Sequence, residues 1–403
     1  MNILQLSVII MIIYYVYFDQ AISNIPGLTI LLSIVMIACL LFYNFKQRLQ
    51  GGLIKELSYE GKAYIIFFVL IFIPGLITSP YISSYLHSYL KGIQFAILFV
   101  SVFFLVKNNK NMDLIFKILG FSILAYALTA YFHGAIEPGT GRLIVSERGE
   151  PNGLALMMFL GIVIATYLWN KGLIYKVLII GYIPIALSNV ALSGSRKGFI
   201  GMAVFLFIFF ICAVLPSINK KNIVVFLVSF TVLIALAVIL YDWYLPIFSN
   251  SILFERFGWN LGDESVTLRV EMYRVALDLF KQYPFFGVGY DNFQYHSGIG
   301  KYSHSTYAEV LSCTGIIGAV TYFSIYISLT FKLIKLYIAK FKQKLPIYTE
   351  GIFLSYMLVD IIFCTVRIDL YDPIIFVLFG CMASYCKINE INDLGKDKHF
   401  LHT

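Results

Sequence analysis

Charged residues are scarce in this sequence. Asp, Glu, Lys and Arg make up 13% of the 403 residues, whereas hydrophobic residues make up 60%. Soluble domains carry about 25% charged residues, so the composition excludes a secreted, cytosolic or nucleic-acid-binding globular protein. Apolar runs of about 20 residues, the length that crosses a bilayer, recur along the whole chain. The sequence therefore predicts an all-α polytopic membrane protein.

Several chemical signatures are missing as well. The six cysteines lie within or at the end of apolar stretches rather than in polar loops, so we expect no disulfide framework. The sequence has no glycine-rich nucleotide loop, no pair of aspartates spaced for a metal and no internal repeat. His296 and His304 could form a metal pair, but no carboxylate or cysteine spacing completes a site. We therefore expect neither a metal nor a cofactor.

Charged loops divide the apolar runs into about twelve predicted spans. These spans are 3–18, 25–44, 63–79, 91–106, 114–132, 152–169, 175–193, 198–215, 222–241, 304–331, 348–366 and 374–386. Alternate loops and the C-terminal tail together hold 19 of the 30 lysines and arginines, which assigns that side and both termini to the cytoplasm. The predicted division is a bundle over 1–241 with an external loop at 133–151, a large ordered external loop over 242–303, further spans over 304–386 and a cytoplasmic tail over 387–403.

The arginines are distributed unlike the lysines. Seven of the eight arginines fall on the external side, compared with four of the 22 lysines. Topology requires positive charge inside but does not distinguish Arg from Lys. Because guanidinium binds phosphate bidentately and stays charged, the set indicates an anionic external ligand. Taken singly, each arginine could instead contact lipid headgroups or pair with an external glutamate, Glu147, Glu150, Glu255 or Glu271.

The large external loop is predicted to contain a helix over 265–282. Its apolar residues recur at helical spacing on one stripe: Val266, Val270, Tyr273, Leu277 and Phe280. On a helical wheel Arg269 and Arg274 flank this stripe, so the helix is expected to lie on the membrane surface and present both arginines. The alternative is an amphipathic lid without a ligand.

Three predicted spans begin at the external face with a basic side chain near the N-terminus. Arg148 lies just before the sixth span, Arg196 just before the eighth, and His304 in the first turn of the tenth, behind Ser303 as N-cap. The helix dipole would keep His304 neutral and able to accept a proton. Three such N-termini on one face would bind phosphate. The alternatives are an ordinary interfacial histidine and, at Arg196, an exposed turn.

Three segments resemble motifs of the O-antigen ligase and polymerase superfamily. Residues 192–198 (LSGSRKG) resemble its (T/S)xSR(G/K) stretch, residues 283–290 (YPFFGVGY) its PxxGxG element, and residues 304–318 (HSTYAEVLSCTGIIG) its HNxyLexlxxxGxxG element. The segments occur in the family order, and the resemblance covers about residues 140–330. Ser305 departs from the pattern, because the family has Asn at this position.

The resemblance implies a membrane glycosyltransferase with a GT-C-like architecture. Its donor would be a polyprenyl-pyrophosphate-linked glycan, whose anomeric carbon is attacked by an acceptor hydroxyl while polyprenyl pyrophosphate leaves. Carried over by motif position, Arg196 and Arg269 would hold the pyrophosphate, and His304 would act as general base or orient the acceptor. Further candidates for substrate binding come from the histidine motif and the external arginines: Tyr307, Glu309, Arg142, Arg148 and Arg274.

Within this superfamily the sequence favours a polymerase of O-antigen or capsular repeat units. The two arginine-bearing loops, 133–151 and 242–303, and the ten residues between Arg142 and Gly153 resemble polymerase loops. The alternatives are a ligase that transfers the glycan to a lipid-core acceptor, and a flippase for lipid-linked oligosaccharides. We expect a plasma (inner) membrane protein with its active face periplasmic or extracellular. Its expected partners are the lipid-linked oligosaccharide, the bilayer, a chain-length regulator and a flippase, without nucleic acid.

Overall fold

The computed structural model describes residues 3–19, 28–47, 55–145, 150–217, 253 and 264–400. The helices in these ranges, numbered in chain order, are α1 (Ile3–Ile13), α2 (Leu28–Gln47), α3 (Tyr59–Thr78), α4 (Ile82–Leu105), α5 (Asn109–His133), α6 (Pro151–Leu168), α7 (Leu173–Ser193), α8 (Arg196–Phe209), α9 (Glu264–Gln282), α10 (Phe293–His296), α11 (Thr306–Lys342), α12 (Tyr348–Phe363) and α13 (Pro373–Phe400). Short π or 3-10 turns extend α1, α6 and α8. A small antiparallel ribbon pairs β1 (Ala135–Ile136) with β2 (Leu143–Ile144).

Among the described residues, seven helical segments are long and apolar enough to cross a membrane. They are Tyr59–Thr78, Ile82–Leu105, Asn109–His133, Pro151–Lys171, Leu173–Ser193, Arg196–Val214 and Thr306–Lys342. Large apolar side chains on outer faces are exposed, including Ile77 at 78% and Ile327 at 70%, as suits contact with lipid rather than water. The prediction of an all-α multi-pass membrane protein is confirmed.

Helices lie at every predicted span except the ninth, 222–241, which falls outside the described residues. α13 continues to Phe400, beyond the predicted end of the last span at residue 386. In the bundle α11 packs against α3, α13 against α4, and α6 against α5, α7 and α8. This packing surrounds α6 with helices, and its buried residues follow one another almost without interruption from Leu154 to Leu168.

The sequence explains how the starts of α6 and α8 come together. Pro151 occupies the first turn of α6, where its missing N–H leaves no helical hydrogen bond unmade. Gly194 ends α7 in the left-handed conformation with a φ of 61°, and α8 starts two residues later. Gly198 lets α8 approach α6, since a Cβ there would lie 2.5 Å from the Cβ of Ala155. The first turns of α6 and α8 are therefore neighbours.

α11 is broken at Gly315, and the backbone of residues 284–289 fills the break. Gly315 has a φ of 61° and a ψ of −166°, a combination open essentially to glycine alone. The amides of Val288 and Gly289 donate to the carbonyls of Ser312 and Cys313, both at 2.9 Å. The amides of residues 316 and 317 donate to the carbonyls of residues 284 and 285. The PxxGxG segment thus satisfies the polar groups that the break exposes.

The buried face of α9 differs from the predicted stripe. Val270 and Leu277, which belong to that stripe, are 44% and 52% exposed. The residues that α9 buries lie on another side of the helix: Met272, Ala276 and Leu279. α9 thus carries apolar residues on two sides; α11 covers one of them and leaves the predicted stripe uncovered, so contact of that stripe with the membrane surface stays a prediction. Helical spacing alone does not tell which side packs against protein.

Candidate active site

A cavity of about 240 Å³ lies where the first turns of α6 and α8 meet the segment before α11 and the loop after α12. Its lining residues are Glu150, Asn152, Gly153, Leu156, Lys197, Gly198, Tyr302, His304, Phe363, Val366, Arg367, Ile368 and Tyr371. The three helix starts that the sequence analysis singled out thus border one cavity. Polar and aromatic side chains converge in it, as is typical of a substrate site.

His304 lies directly before α11 rather than in its first turn. Ser305 is the N-cap, with its hydroxyl accepting from the amide of Ala308 at 3.4 Å, and the helix begins at Thr306. The predicted N-cap at Ser303 was wrong, because the Ser303 amide is bound instead by the carboxylate of Glu309 at 2.9 Å. His304 has a φ of 58° and is therefore in the left-handed region.

Ser305 fulfils a structural role at the position where the motif has Asn. Ser and Asn are both good N-cap residues, because each offers a side-chain oxygen to an unpaired amide of the first turn. The Ser305 hydroxyl also donates to the carbonyl of Cys364 at 3.0 Å. The departure from the motif therefore preserves both the cap and the link to the loop after α12.

The imidazole of His304 is neutral near pH 7. Burial and, to a smaller extent, the positive charges of Lys197, Arg269 and Lys301 together lower its pKa to about 4. Burial and neighbouring cations thus keep it neutral, whereas the sequence analysis assigned this effect to the helix dipole. The imidazole forms no hydrogen bond with the described residues, so its ring nitrogens are available to a ligand.

Lys197 and Arg269 supply positive charge beside His304. Lys197 lies in the first turn of α8, lines the cavity and donates to the carbonyl of Val366. Arg269 lies half-buried on α9. Among the described residues neither cation has a carboxylate within ion-pair distance. Within the described part of the chain, no carboxylate ion pair therefore competes with an anion for either charge.

Arg196 starts α8 and is half-buried. From this turn Lys197 and Gly198 line the cavity, and Arg196 does not. The sequence analysis placed Lys197 among the external cations without giving it a role at the site. The motif drew attention to the arginine, since guanidinium is the better phosphate ligand. Which of two adjacent residues faces a cavity depends on the rotation of the helix, which its neighbours set.

Arg367 is a cavity residue to which the sequence analysis gave no role. Its Nη2 donates to Asp360 at 2.6 Å, its Nε donates to Asp369, and its Nη1 is buried without a partner among the described residues. The amide and hydroxyl of Thr306 both donate to the Arg367 carbonyl at 2.7 Å. A single arginine flanked by acids at the end of a span was the signal available in the sequence.

Arg142 joins the ends of two helices. Its Nε donates to the carbonyl of Ser193 at 2.6 Å, and its Nη2 donates to Oδ1 of Asn152 at 2.9 Å. Since Ser193 ends α7 and Asn152 lies in the first turn of α6, the arginine fixes one wall of the cavity. The ten-residue spacing from Arg142 to Gly153 therefore corresponds to a side-chain contact at the neighbouring Asn152.

The other predicted residues lie outside the cavity lining or outside the described residues. Glu309 is fully buried and accepts from the Tyr371 hydroxyl at 3.1 Å as well as from the Ser303 amide, so it holds the segment that carries His304. Tyr307 donates to the carbonyl of Ile361 at 2.9 Å. Arg274 is exposed on α9. Arg148 lies outside the described residues.

In the ranges that the structure describes, no group of three or more His, Cys, Asp or Glu residues could hold a metal ion. The polar side chains that line the cavity are instead one carboxylate (Glu150), two cations, one amide, two tyrosine hydroxyls and one neutral imidazole. These groups suit an anionic, oxygen-rich organic substrate, because each can donate to or accept from oxygen atoms.

Comparison of the chain with known protein families gives a match over part of its length. Residues 181–323 match the family model described as O-antigen ligase, and no curated protein matches the chain. The matched range runs from α7 into α11 and includes Arg196, Lys197, Arg269 and His304. It indicates a role in O-antigen or polysaccharide assembly, while polymerase and ligase are not distinguished. The chain is thus a multi-pass membrane protein that carries, over residues 181–323, a domain of the O-antigen ligase and polymerase superfamily.

Proposed function

We propose that this protein is a polymerase that joins polyprenyl-pyrophosphate-linked oligosaccharide repeat units at the outer face of the plasma membrane. The observation that supports it most is the neutral His304 near two cations, Lys197 and Arg269, that have no carboxylate within ion-pair distance among the described residues. The N-termini of α6 and α8 at the same cavity add the positive ends of two helix dipoles. This arrangement fits a group transfer in which a pyrophosphate leaves.

In the proposed reaction an acceptor hydroxyl oxygen forms a bond to the anomeric carbon of the donor. The bond between that carbon and the phosphate oxygen breaks, and polyprenyl pyrophosphate leaves with the electron pair. Lys197 and Arg269 stabilise the negative charge that develops on the leaving oxygen. His304 takes the proton of the acceptor hydroxyl. The atoms and charges balance without any further reactant.

Donor binding also prepares His304 for this step. In the free protein burial and the positive charges around His304 hold its pKa near 4, which makes it a weak base. A bound pyrophosphate offsets the charges of Lys197 and Arg269, so the pKa of the imidazole rises toward its ordinary value. His304 therefore becomes an effective base only when the donor is in place. In the empty site it stays a weak base and remains unprotonated.

A ligase is the second candidate, because the matching family model is described as O-antigen ligase. The chemistry at the donor is the same in both candidates, and only the acceptor differs: another repeat unit for the polymerase, a lipid core for the ligase. A flippase would use the same cations to bind a pyrophosphate but would leave the glycan covalently unchanged.

The test is a surface-polysaccharide gel from a strain that lacks this gene, complemented with the wild-type gene or with His304→Asn. Asparagine is suitable because it tolerates the left-handed backbone at residue 304 and removes the imidazole. Glycan capped with a single repeat unit, extended to a long ladder only by the wild type, is the result expected for a polymerase.

Two other results would point elsewhere. Loss of surface glycan with full-length chains left on the polyprenyl carrier would identify the ligase. An unchanged ladder in the deletion strain would exclude both enzymes. Membrane levels of the His304→Asn protein, measured by immunoblot, provide the control for expression.

A further inference from the structure

Arg367 differs from the other cations at the cavity because its charge is already neutralised. Its partners Asp360 and Asp369 are fully buried, and together the three side chains carry no net positive charge. The Arg367 side chain is 9% exposed, and its Nη1 has no hydrogen-bond partner among the described residues. A buried donor without a partner is costly, so this position is suited to a ligand that supplies an acceptor.

The chemistry around Nη1 disfavours a phosphate. A phosphate beside Arg367 would also lie close to two buried carboxylates, which repel it strongly where the dielectric is low. A neutral oxygen, such as a sugar hydroxyl or an acetamido carbonyl, accepts the hydrogen bond without this repulsion. In the ranges that the structure describes, Lys197 and Arg269 have no carboxylate at ion-pair distance, and they remain the proposed anion-binding groups.

Two aromatic side chains line the cavity together with Arg367. Tyr302 and Tyr371 have their ring centroids 5.7 Å apart, and both contribute to the lining. Tyrosine offers an apolar ring and a polar tip, which complement the C–H face and the hydroxyls of a pyranose ring. Asn152 adds an amide to the same lining. Aromatic rings, an amide and a neutralised arginine are together typical of carbohydrate recognition.

Arg367 is also held in fixed relation to His304. Thr306 donates through both its amide and its hydroxyl to the Arg367 carbonyl, and the amide of Asp369 donates to the Thr306 hydroxyl at 2.9 Å. His304 lies two residues before Thr306. A sugar oxygen held by Arg367 would therefore have a defined position relative to the imidazole, as a positioned reactant requires.

We propose that Arg367, with Tyr302 and Tyr371, forms a subsite that binds an uncharged sugar of the glycan, separate in chemistry from the cations that bind the pyrophosphate. This proposal rests on the proposed function, because it assumes that a lipid-linked glycan occupies the cavity. Arg367 is then a specificity residue for the glycan, and Asp360 and Asp369 position it.

The experiment measures equilibrium binding to the purified full-length protein in lipid nanodiscs. One probe is undecaprenyl pyrophosphate, which has no sugar, and the other is the lipid-linked oligosaccharide extracted from the source strain. The variants are Arg367→Lys, which keeps a cation for Asp360 and Asp369 but lacks the guanidinium Nη1, and Arg269→Gln. Lys281→Gln, at an exposed position on α9, is the matched control.

We expect Arg367→Lys to weaken binding of the lipid-linked oligosaccharide about tenfold, the usual effect of losing one hydrogen bond from a charged donor, and to leave undecaprenyl pyrophosphate unaffected. Arg269→Gln should weaken both probes, and Lys281→Gln neither. If Arg367→Lys does not fold, Tyr302→Leu gives the same comparison without disturbing the buried ion pairs. Its expected effect is likewise confined to the probe that carries sugar.

The other outcomes separate this proposal from the proposed function. An equal loss for both probes would make Arg367 a pyrophosphate ligand, and no loss for either would remove it from the site; each result overturns the subsite. Equal binding of the two probes by the wild-type protein would also overturn it, while leaving a pyrophosphate site in place. If the wild type binds neither probe, the proposed function itself fails.

Discussion

His304 is governed by its backbone and by charges on other elements. A left-handed φ places it between the Glu309-bound Ser303 and the cap at Ser305, while cations from α8 and α9 set its protonation. Imidazole is the side chain whose proton equilibrium such modest influences move across the physiological range. Its chemistry is therefore decided by residues that are distant in sequence.

The depressed pKa of His304 makes stability depend on pH. Its pKa is about 4 in the folded protein and about 6.5 in an unfolded chain, so the unfolded state binds the extra proton between these values. The contribution of His304 to the free energy of unfolding is fully present above pH 6.5 and falls as the pH is lowered toward 4. We expect the melting temperature of the wild type to drop more between pH 7.5 and pH 4.5 than that of His304→Asn, in matched detergent.

Comparing the two proteins removes the contribution of Asp291. Burial raises the pKa of this carboxyl to about 6, so it stabilises the folded protein at low pH and loses that effect as the pH rises through 6. Because Asp291 is present in both proteins, its effect cancels in the difference. Identical pH profiles for wild type and His304→Asn would show that the imidazole is not shielded as described.

Lys197 should affect stability and substrate binding in opposite directions. As a half-buried cation near Arg269, without a carboxylate at ion-pair distance among the described residues, it costs desolvation energy in the empty protein. We expect Lys197→Met to raise the melting temperature by a few degrees and to weaken binding of undecaprenyl pyrophosphate at least about tenfold, the usual cost of a lost charged contact. Parallel thermal and binding measurements check both signs. A fall in both would instead make Lys197 mainly a structural anchor through Val366.

At the level of elements, the break in α11 links the two segments that carry the reacting groups. Residues 284–289 follow α9, and through four backbone hydrogen bonds they attach that helix to α11. Arg269 on α9 and His304 before α11 are thus held by main-chain contacts. Gly287 and Gly315 allow residues 284–289 and α11 to lie this close. A Cβ on either glycine would lie 2.4 Å or less from the backbone of the facing segment.

Gly315→Ala should disrupt the fold. Alanine is strained at a φ of 61° and a ψ of −166°, and its Cβ would lie 2.3 Å from the carbonyl carbon of Phe285. We expect a loss of at least about 3 kcal/mol in the free energy of unfolding. The readout is the melting temperature by fluorescence-detected size exclusion.

Gly181 in α7 provides the matched control for this substitution. A Cβ at Gly181 meets nothing within 4 Å, so Gly181→Ala should be neutral or stabilise the helix by up to about 1 kcal/mol. A similar response of the two variants would contradict the account of the broken helix.

The sequence predicted helices well and their contacts less well. Long apolar runs identify spans because each helix must satisfy its own backbone in lipid, and α3 to α8 lie where expected. The stripe on α9 is not the side that packs against α11, and its contact with the membrane surface stays a prediction. The start of α11 was predicted two residues too early, which placed His304 in its first turn. Either Ser303 or Ser305 could have capped the helix.

The candidate site was only partly predictable for similar reasons. The motifs identified the helix starts that border the cavity, and His304 lines it. Arg367 was missed because the hydrogen bonds from the start of α11 to its carbonyl form only when the loop after α12 folds onto that helix. Sequence distance does not show that contact, and neither does charge alone.

At the scale of the whole molecule, orientation across the membrane remains a prediction. In the predicted topology Lys281, in the last turn of α9, lies on the external side, and Lys344 follows the cytoplasmic end of α11. We expect a membrane-impermeant maleimide to label Lys281→Cys in intact cells but Lys344→Cys only after permeabilisation. Five native cysteines are buried and Cys212 is half-buried, so background labelling should be low. Labelling of both positions from the same side would overturn this orientation.

The size of the cavity bears on product length. At about 240 Å³ the cavity is smaller than the roughly 300–1,000 Å³ of typical small-molecule sites. In the proposed reaction the reacting ends of the two glycans lie in it, and the remaining sugars and the polyprenyl tail extend outside it. A chain of one repeat unit and a chain of many present the same junction to this pocket. A polymerase built in this way has no internal ruler, and any preferred chain length has to be imposed by something beyond its active site.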